Sequence, residues 1–321
     1  MVSLITTLIN EKNNFDGWIK SILSQTIQPD EIIIVDGGST DGTWENLQQY
    51  AANNDKIKVF QFKGNISSGR NYAVEKAANE NIAVADAGCS YRPNWLEKIS
   101  QLFEQGYDFI GTAFGPWLKP EDTFIKRLIF SASTPAKDEF KKNWLFSSRS
   151  VAFTKDVWRR AGKYPEWLPI CEDIFYDLRI LKNKPKVFYI REPLAFWEAR
   201  DNLKKFFLQL FRYTRGDGHA NLWFKRQLIR YVVYSGSIII LLLSYFSNPY
   251  WLLLLVVGMF FYIKKFWHRW LEFNHDRGVV FVIVGLFLVP LVVAYGDLAK
   301  MCGWPTGVYQ RKIGKIKYEK L

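Results

Sequence analysis

Three charged side chains, Asp36, Arg70 and Asp86, occur at positions that suggest shared chemistry. Each lies in the polar segment that follows a short apolar run typical of a strand. Carboxylates can hydrogen-bond a base or a ribose and hold a divalent cation, and a guanidinium can neutralise a diphosphate. Each residue alone is a weak signal, and the nearby Asp41-Gly42 pair is typical of an ordinary turn and helix cap. Their joint occurrence predicts one binding crevice.

The elements that must position these side chains alternate along the first half of the chain. Apolar runs predict strands at residues 2–9, 31–35, 58–62 and 82–85, and helical spacing predicts helices at 15–24 and 68–79. Short apolar strands that alternate with helices favour a parallel sheet covered on both faces. Ligands of such sheets bind at the carboxyl ends of the strands, where the strand order reverses. The predicted fold class is α/β, with the crevice at this edge.

Composition and charge limit the class of protein. The chain has 321 residues, of which 49% are hydrophobic and 17% aromatic, and this excludes a disordered polymer. Its net charge of +12 suggests an anionic partner, either nucleic acid or membrane. Residues 1–199 hold equal numbers of acidic and basic side chains, so the whole excess lies in residues 200–321. The anionic partner is therefore expected at the second half of the chain.

The second half also contains three long apolar runs, which predict a membrane module. A helix needs about 20 apolar residues to cross the bilayer core, with about 17 as the lower limit. The predicted spans are residues 228–246, 250–267 and 278–298. Buried core helices of a soluble protein are the alternative, although three such runs close together favour lipid. We therefore expect the anionic partner to be a membrane and not nucleic acid.

Basic residues precede the first span and follow the second, which favours a helical hairpin whose two ends lie in the cytoplasm. Lys225 and Arg226 precede the first span, and Lys264 and Lys265 follow the second. No signal-peptide pattern precedes the first predicted strand, so we expect the first domain on the cytoplasmic side of a cell membrane. Because the tail at 299–321 is also basic, the third segment is re-entrant, interfacial, or a span that violates the charge rule.

A basic amphipathic segment connects the two halves. Apolar residues recur at helical spacing within 202–215, with lysines and arginines between them. Such a helix can lie in the headgroup layer of a membrane, and an ordinary helix packed on the first domain is the alternative. The predicted organisation is a first domain over 1–200, an interfacial helix and linker over 201–227, a membrane module over 228–298, and a basic tail over 299–321.

Several runs of the first domain resemble family 2 glycosyltransferases. They are SLITTLINE, IIIVDGGSTDGT, GRN and DAGC, followed by the S-x-x-F and E-D-x-x-x-x-x-R patterns within residues 143–181. The resemblance covers about residues 2–200. It implies the GT-A fold, a Rossmann-like and mostly parallel sheet with helices on both faces. It also implies an inverting, metal-dependent hexosyltransferase type of enzyme that uses a nucleotide-diphosphate sugar.

The resemblance assigns donor-binding roles to residues at the strand ends. These are Thr7, Leu8, Glu11 and Asp36 around the nucleotide, Arg70 on the donor side, and Asp86 with Ala87 in the D-x-D motif. Asp86 matches the first carboxylate of that motif, which binds Mg²⁺ or Mn²⁺. Gly88 stands at its third position, so the metal would rely on Asp86, the donor diphosphate and water. Gly37 stands where the family usually has a second aspartate, which suggests that one donor contact is missing.

Glu172 and Asp173 match the family's E-D pair, whose aspartate takes the proton from the acceptor hydroxyl. A sugar hydroxyl is a poor nucleophile at neutral pH, so a base within hydrogen-bond reach helps. We expect Asp173 to be the base and Glu172 to orient the acceptor, while an acid-rich helix start is the alternative. Gln209, Arg212 and Tyr213 resemble the Q-x-x-R-W motif of membrane-embedded family 2 synthases, which lies near the acceptor and the diphosphate. The polar face of the interfacial helix is the alternative there.

The apolar segments predict a lipid-linked acceptor for this enzyme. Because a base is present, the expected reaction is sugar transfer to an acceptor hydroxyl during the assembly of a glycan or glycolipid. A polyprenyl phosphate acceptor, which needs no base, is one alternative, and a non-catalytic nucleotide-sugar-binding scaffold of a synthase complex is another. The expected partners are the nucleotide-diphosphate sugar, the lipid-linked acceptor and the bilayer, and the expected cofactor is Mg²⁺ or Mn²⁺.

Overall fold

The computed structural model of the chain describes residues 1–140, 145–319 and 321. Within these residues the chain forms two compact units. The first contains Met1–Trp117, Lys137–Glu198 and Glu319–Leu321, and the second contains Leu118–Ala136 and Ala199–Tyr318. The second unit thus includes Leu118–Ala136, which the sequence prediction places in the first domain. Residues 143 and 144, at the start of the run that resembles the acceptor half of the family fold, lie outside the described residues.

An eight-stranded sheet forms the centre of the first unit as far as the structure describes it. The strands are β1 Val2–Leu8, β2 Glu31–Asp36, β3 Ile57–Gln61, β4 Asn81–Ala85, β5 Cys89–Tyr91, β6 Phe109–Pro116, β7 Ser150–Thr154 and β8 Val187–Trp197. Their order in the sheet is β3-β2-β1-β4-β7-β6-β8-β5. Strands β3, β2, β1 and β4 are parallel, and β7 is antiparallel to both of its neighbours. The chain moves outward from β1 to β3 and then returns to place β4 on the other side of β1, which is the expected reversal of strand order.

Helices cover both faces of this sheet. In chain order they are α1 Lys12–Leu23, α2 Thr43–Ala52, α3 Ile66–Lys76, α4 Trp95–Glu104, α6 Lys155–Arg160 and α7 Glu172–Lys182, with α5 Phe124–Ser133 in the second unit. Leu4 of β1 packs into the core on one face and Ile5 into the core on the other. A strand buried on both faces reads as a continuous apolar run. The predicted α/β fold with helices on both faces is therefore confirmed.

The predicted ends of the elements differ from the observed ends by a few residues. Helix α3 begins at Ile66 and not at residue 68. The reason is a cap, because the side chain of Asn65 accepts a hydrogen bond from the N–H of Ser68 at 2.9 Å. The four predicted strands are all present.

The second unit contains α5 and four further α-helices within the described residues. These are α8 Leu203–His219, α9 Phe224–Phe246, α10 Leu252–Phe273 and α11 Val279–Lys312. By length and composition, the segments Phe224–Phe246, Pro249–Phe273 and Val279–Lys312 could each cross a membrane. Helix α11 does not end at residue 298 but continues to Lys312 through much of the predicted basic tail. Lys320 of that tail lies outside the described residues.

Helices α8 and α11 approach so closely that their backbones touch. A Cβ atom added to Gly307 of α11 would lie 2.0 Å from the carbonyl oxygen of Arg215 on α8. One added to Gly303 would lie 2.4 Å from the carbonyl oxygen of Phe211. Small residues four apart permit this kind of close helix crossing. The amphipathic helix α8 is therefore packed along α11 through these glycines.

Candidate active site

The carboxylate of Asp36, at the end of β2, is buried and held by its own loop. Its oxygens accept hydrogen bonds from the N–H groups of Gly38 and Ser39 at 3.1–3.2 Å and from the Ser39 hydroxyl at 2.5 Å. The Nε2 group of Gln61, at the end of β3, donates another at 3.2 Å. Gly38 has a φ of +97°, a conformation that favours glycine. Asp36 thus fixes the shape of the loop after β2.

The end of β1 lies next to Asp36 at the same edge of the sheet. Leu8 is paired in register with Asp36, and its carbonyl oxygen accepts a hydrogen bond from the N–H of Gly37 at 2.9 Å. The N–H of Glu11 donates to the hydroxyl of Thr43 at 3.0 Å. These bonds join the loop after β1 to the loop after β2. Thr7, Leu8, Glu11 and Asp36 therefore lie at the same edge of the sheet, where Thr7 is paired in register with Val35, and their donor-binding roles stay predictions.

Asp86 follows β4 on the other side of β1. Its side chain is half-buried, and its Oδ1 atom accepts a hydrogen bond from the N–H of Gly88 at 3.0 Å. Its Oδ2 atom accepts no hydrogen bond from the residues that the structure describes. Ala87 is buried and Gly88 is exposed. The loop after β4 therefore presents one carboxylate.

Arg70 and Glu172 form a buried ion pair that connects α3 to α7. The Nη1 atom of Arg70 lies 2.5 Å from the Oε1 atom of Glu172, and both side chains are more than nine-tenths buried. The guanidinium of Arg70 also lies over the ring of Tyr164, 5.4 Å from its centre. Sequence reasoning assigns Arg70 to the donor and Glu172 to the acceptor, but the structure places the two side chains against each other.

The adjacent acids Glu172 and Asp173 have different environments in the first turn of α7. Burial raises the pKa of Glu172, the charge of Arg70 opposes that shift, and the charge of Asp173 adds to it. Asp173 is half-buried, and its Oδ1 atom accepts a hydrogen bond from the N–H of Ile174 at 2.9 Å. The unpaired N–H groups at a helix start favour negative charge. Asp173 is thus the more accessible carboxylate of the pair.

A third acid, Asp177, lies one turn after Asp173 and is not among the residues predicted from the sequence. It is buried and accepts a hydrogen bond from the N–H of Phe146, while its Oδ2 atom has no partner among the described residues. Burial raises the pKa of Asp177 well above its ordinary value, and the charge of Asp173 adds to the shift. The spacing of four residues on α7 is the signal that could have identified it.

The chain is similar in sequence to known proteins. Residues 3–157 match the family model described as glycosyl transferase family 2. The chain is 35% identical over 220 residues to the Bacillus subtilis protein EpsE, which is described as a glycosyltransferase, and the match covers 66% of this chain and 77% of EpsE. The chain belongs to glycosyltransferase family 2. This confirms the resemblance predicted from the sequence motifs.

Four further proteins are similar to this chain. The chain is 23% identical over 231 residues to glycosyltransferase AglE of Haloferax volcanii, covering 69% of this chain and 74% of AglE. Matches to two other Bacillus subtilis relatives span 63% and 62% of those proteins. A mannosyltransferase of Pyrobaculum calidifontis, solved with GDP-Man and Mn²⁺, superimposes on this chain with a TM-score of 0.54 at 13% sequence identity. The match covers 98% of this chain and 87% of the mannosyltransferase chain. The predicted GT-A fold is confirmed.

Arg149 is a second cation near the loop after β4 in this glycosyltransferase. The hydroxyl of Tyr91 donates to the carbonyl oxygen of Arg149 at 2.5 Å and lies 3.4 Å from that of Asp86. The guanidinium of Arg149 lies over the rings of Trp197 and Phe114, at 4.7 and 5.3 Å from their centres. Sequence reasoning missed Arg149, although it directly precedes the S-x-x-F pattern that begins at Ser150.

Gln209, Arg212 and Tyr213 lie on α8 in the second unit of the glycosyltransferase. The Nε2 group of Gln209 is 3.0 Å from the hydroxyl of Tyr213 one turn later. Arg212 and Tyr213 are exposed, and Gln209 is buried. The structure brings Gln209 and Tyr213 into contact, and the role of all three residues stays a prediction.

Proposed function

We propose that this glycosyltransferase is an inverting, metal-dependent enzyme that moves a sugar from a nucleotide-diphosphate sugar to a hydroxyl group of a lipid-linked acceptor. The start of α7 carries the proposal. Asp173 is a partly exposed carboxylate directly after Glu172, which is fixed by Arg70 at 2.5 Å. A general base must reach the proton that it removes. Asp173 is the base in this mechanism, and Glu172 positions the helix start and the groups around it.

The donor binds at the edge formed by the ends of β1, β2 and β4. Thr7, Leu8, Glu11 and Asp36 contact the nucleotide, and Ala87 belongs to the same donor site. Because Asp36 is held by its own loop, the loop shape is set before the donor arrives. The mannosyltransferase that shares the fold was solved with GDP-Man, which supports a nucleotide-sugar donor. Arg149 is a further candidate for contact with the diphosphate.

Asp86 holds Mg²⁺ or Mn²⁺ together with the phosphates of the donor. Its Oδ2 atom accepts no hydrogen bond from the described residues and is therefore available as a ligand. Mg²⁺ commonly takes one or two carboxylates together with substrate phosphates, so the single carboxylate fits. When bound, such a cation stabilises the charge that develops on the leaving diphosphate. Without donor phosphates, the affinity of this site for the metal is expected to be weak.

The acceptor is proposed from the apolar helices of the second unit. Three of its segments are long and apolar enough to cross a membrane. The excess positive charge of the chain lies in the same half, which suits an anionic membrane surface. We place the chain in a cell membrane with the first unit on the cytoplasmic side, and we assign Gln209, Arg212 and Tyr213 to the acceptor or the diphosphate.

A transfer assay with the Asp173→Asn variant tests the base. Purified full-length protein is incubated with a panel of nucleotide sugars, Mn²⁺ and a membrane lipid extract, and transfer to lipid is measured. Loss of general base catalysis typically lowers the rate about 10²–10⁴-fold. Asp55→Asn, at an exposed aspartate far from α7 in the chain, is the matched control and should keep the parent rate.

The same assay separates the proposed acceptor from the alternatives. A lipid phosphate is already ionised, so transfer to it would survive the Asp173→Asn substitution and refute the hydroxyl acceptor. If no nucleotide sugar is turned over but one raises the melting temperature, the chain is a binding scaffold and not an enzyme.

A further inference from the structure

A charged cluster lies where the three apolar helices of the second unit meet. Asp297 of α11 is buried, and its Oδ1 atom is 3.1 Å from the Nε atom of Arg230 on α9 and 3.1 Å from the Nζ atom of Lys300. Its Oδ2 atom accepts hydrogen bonds from the hydroxyl groups of Tyr234, at 3.1 Å, and of Tyr262. Helices α9, α10 and α11 each contribute to this cluster.

The cluster contains more positive than negative charge. Asp297 is its one acid among the described residues, and it faces both Arg230 and Lys300. Arg226, one turn before Arg230 on α9, lies close enough to Lys300 to interact with it electrostatically. Unbalanced charge among apolar helices is costly and usually marks a functional site. The charge of the cluster therefore favours one more negative group.

The cations of the cluster have donors that Asp297 does not use. Arg230 donates a hydrogen bond from Nε to Asp297 and another from Nη1 to the side chain of Gln227. Its Nη2 atom has no partner among the described residues. The side chain of Lys300 is 21% exposed and Arg226 is exposed. These donors lie near the end of α9 where its apolar run begins. Guanidinium and ammonium groups bind phosphate through charge-assisted hydrogen bonds.

We propose that Arg226, Arg230 and Lys300 bind the phosphate of a membrane lipid, while Asp297 holds Arg230 and Lys300 in place. The headgroup phosphate of an anionic phospholipid and the phosphate of a polyprenyl carrier share this chemistry. The inference rests on the membrane placement proposed above. Binding is measured without a donor sugar, so failure of lipid binding and failure of sugar transfer are distinguishable.

The test uses the purified full chain in detergent and native mass spectrometry to measure retained lipid. Phosphatidylglycerol and polyprenyl phosphate are the two lipid arms, phosphatidylcholine is the zwitterionic control, and inorganic phosphate is the lipid-free control. The Arg226→Gln/Lys300→Gln variant leaves Arg230 and Asp297 as a neutral pair. Each cation near a membrane surface contributes about 1 kcal/mol to the free energy of binding an anionic lipid, so the loss of two cations should weaken lipid binding roughly 30-fold.

Matched controls make the outcome decisive. Lys20→Gln/Lys182→Gln removes two exposed charges from the first unit, outside the helices proposed to meet the membrane, and should leave lipid binding unchanged. If the Arg226→Gln/Lys300→Gln protein does not fold, Arg226→Gln alone keeps the contacts of Asp297 and should weaken binding roughly fivefold. Equal losses in the test and control variants would overturn the proposal. Retention of phosphatidylcholine equal to that of phosphatidylglycerol would also overturn it. So would binding of inorganic phosphate equal to that of the anionic lipids.

Discussion

Replacing Arg70 with methionine tests whether the buried ion pair organises the start of α7. The charged atoms of Arg70 and Glu172 are 2.5 Å apart, and both side chains are buried. Removing one partner leaves an uncompensated carboxylate inside the protein, which typically costs about 3–5 kcal/mol. In a unit of this size each kcal/mol lowers the thermal midpoint by roughly 2–4 °C, so we expect a decrease of about 6–20 °C.

The destabilisation of the Arg70→Met protein should depend on pH. Burial and the charge of Asp173 raise the pKa of Glu172, and the variant lacks the opposing charge of Arg70. The folded variant then keeps a proton that the unfolded chain releases above its own pKa of about 4.3. Its stability therefore falls as the pH rises from that value through the folded pKa. The loss relative to the parent should be smaller at pH 5 than at pH 8.

Thermal unfolding of the purified chain at both pH values measures these effects. Arg159→Met, the control, breaks an exposed ion pair with Glu80 and should lower the free energy of unfolding by less than about 1 kcal/mol. Arg70→Met/Glu172→Met removes both buried charges and should recover most of the stability. The reasoning is refuted if Arg70→Met costs less than about 1 kcal/mol, or if the double variant is as unstable as the single one.

Three other substitutions give further tests. Asp177→Asn should raise the thermal midpoint at pH 8 but not at pH 4. The folded-state pKa of Asp177 lies above its unfolded value, so the free energy of unfolding falls as the pH rises, by up to about 1.4 kcal/mol per pH unit. An unchanged midpoint at pH 8 would contradict this. Gly307→Val should lower the free energy of unfolding by about 1–3 kcal/mol or more, because its Cβ atom would lie 2.0 Å from the carbonyl oxygen of Arg215. Gly236→Val, at an open position on α9, should lower it far less. Asp86→Asn should lower the rate of sugar transfer at least about 10-fold and raise the Mn²⁺ concentration needed for half-maximal transfer. If the parent protein still transfers sugar after chelation of the metal, Asp86 is not a metal ligand.

The first half of the sheet could be predicted because its strands are buried on both faces. Strands β1, β2 and β4 read as continuous apolar runs, and each is followed by the polar residues of the crevice. The strands β5 to β8 were not predicted individually. Gly111 and Gly115 interrupt β6, and polar residues interrupt the eleven residues of β8, so neither gives a clear period.

The partners of the site residues could not be predicted from local patterns. Arg70 and Glu172 are separated by four strands and several helices in the chain, so their ion pair depends on the tertiary fold. The contact of Asp177 with Phe146 depends on it in the same way. The full length of α11 was missed because Gly303, Pro305 and Gly307, beyond the predicted end at residue 298, are poor helix formers; the two glycines are stabilised there by packing against α8.

The glycine contacts between α8 and α11 have a consequence for the order of folding. Arg215 and Gly307 lie on opposite sides of α9 and α10 in the chain, so α8 is synthesised well before its partner. Until α11 is made, the backbone carbonyl groups of Phe211 and Arg215 lack the neighbours that cover them in the native fold. Contacts between distant segments form slowly because the intervening chain must first be closed into a loop. Helix α8 should therefore reach its native packing late, after the two apolar helices between it and α11 have been placed.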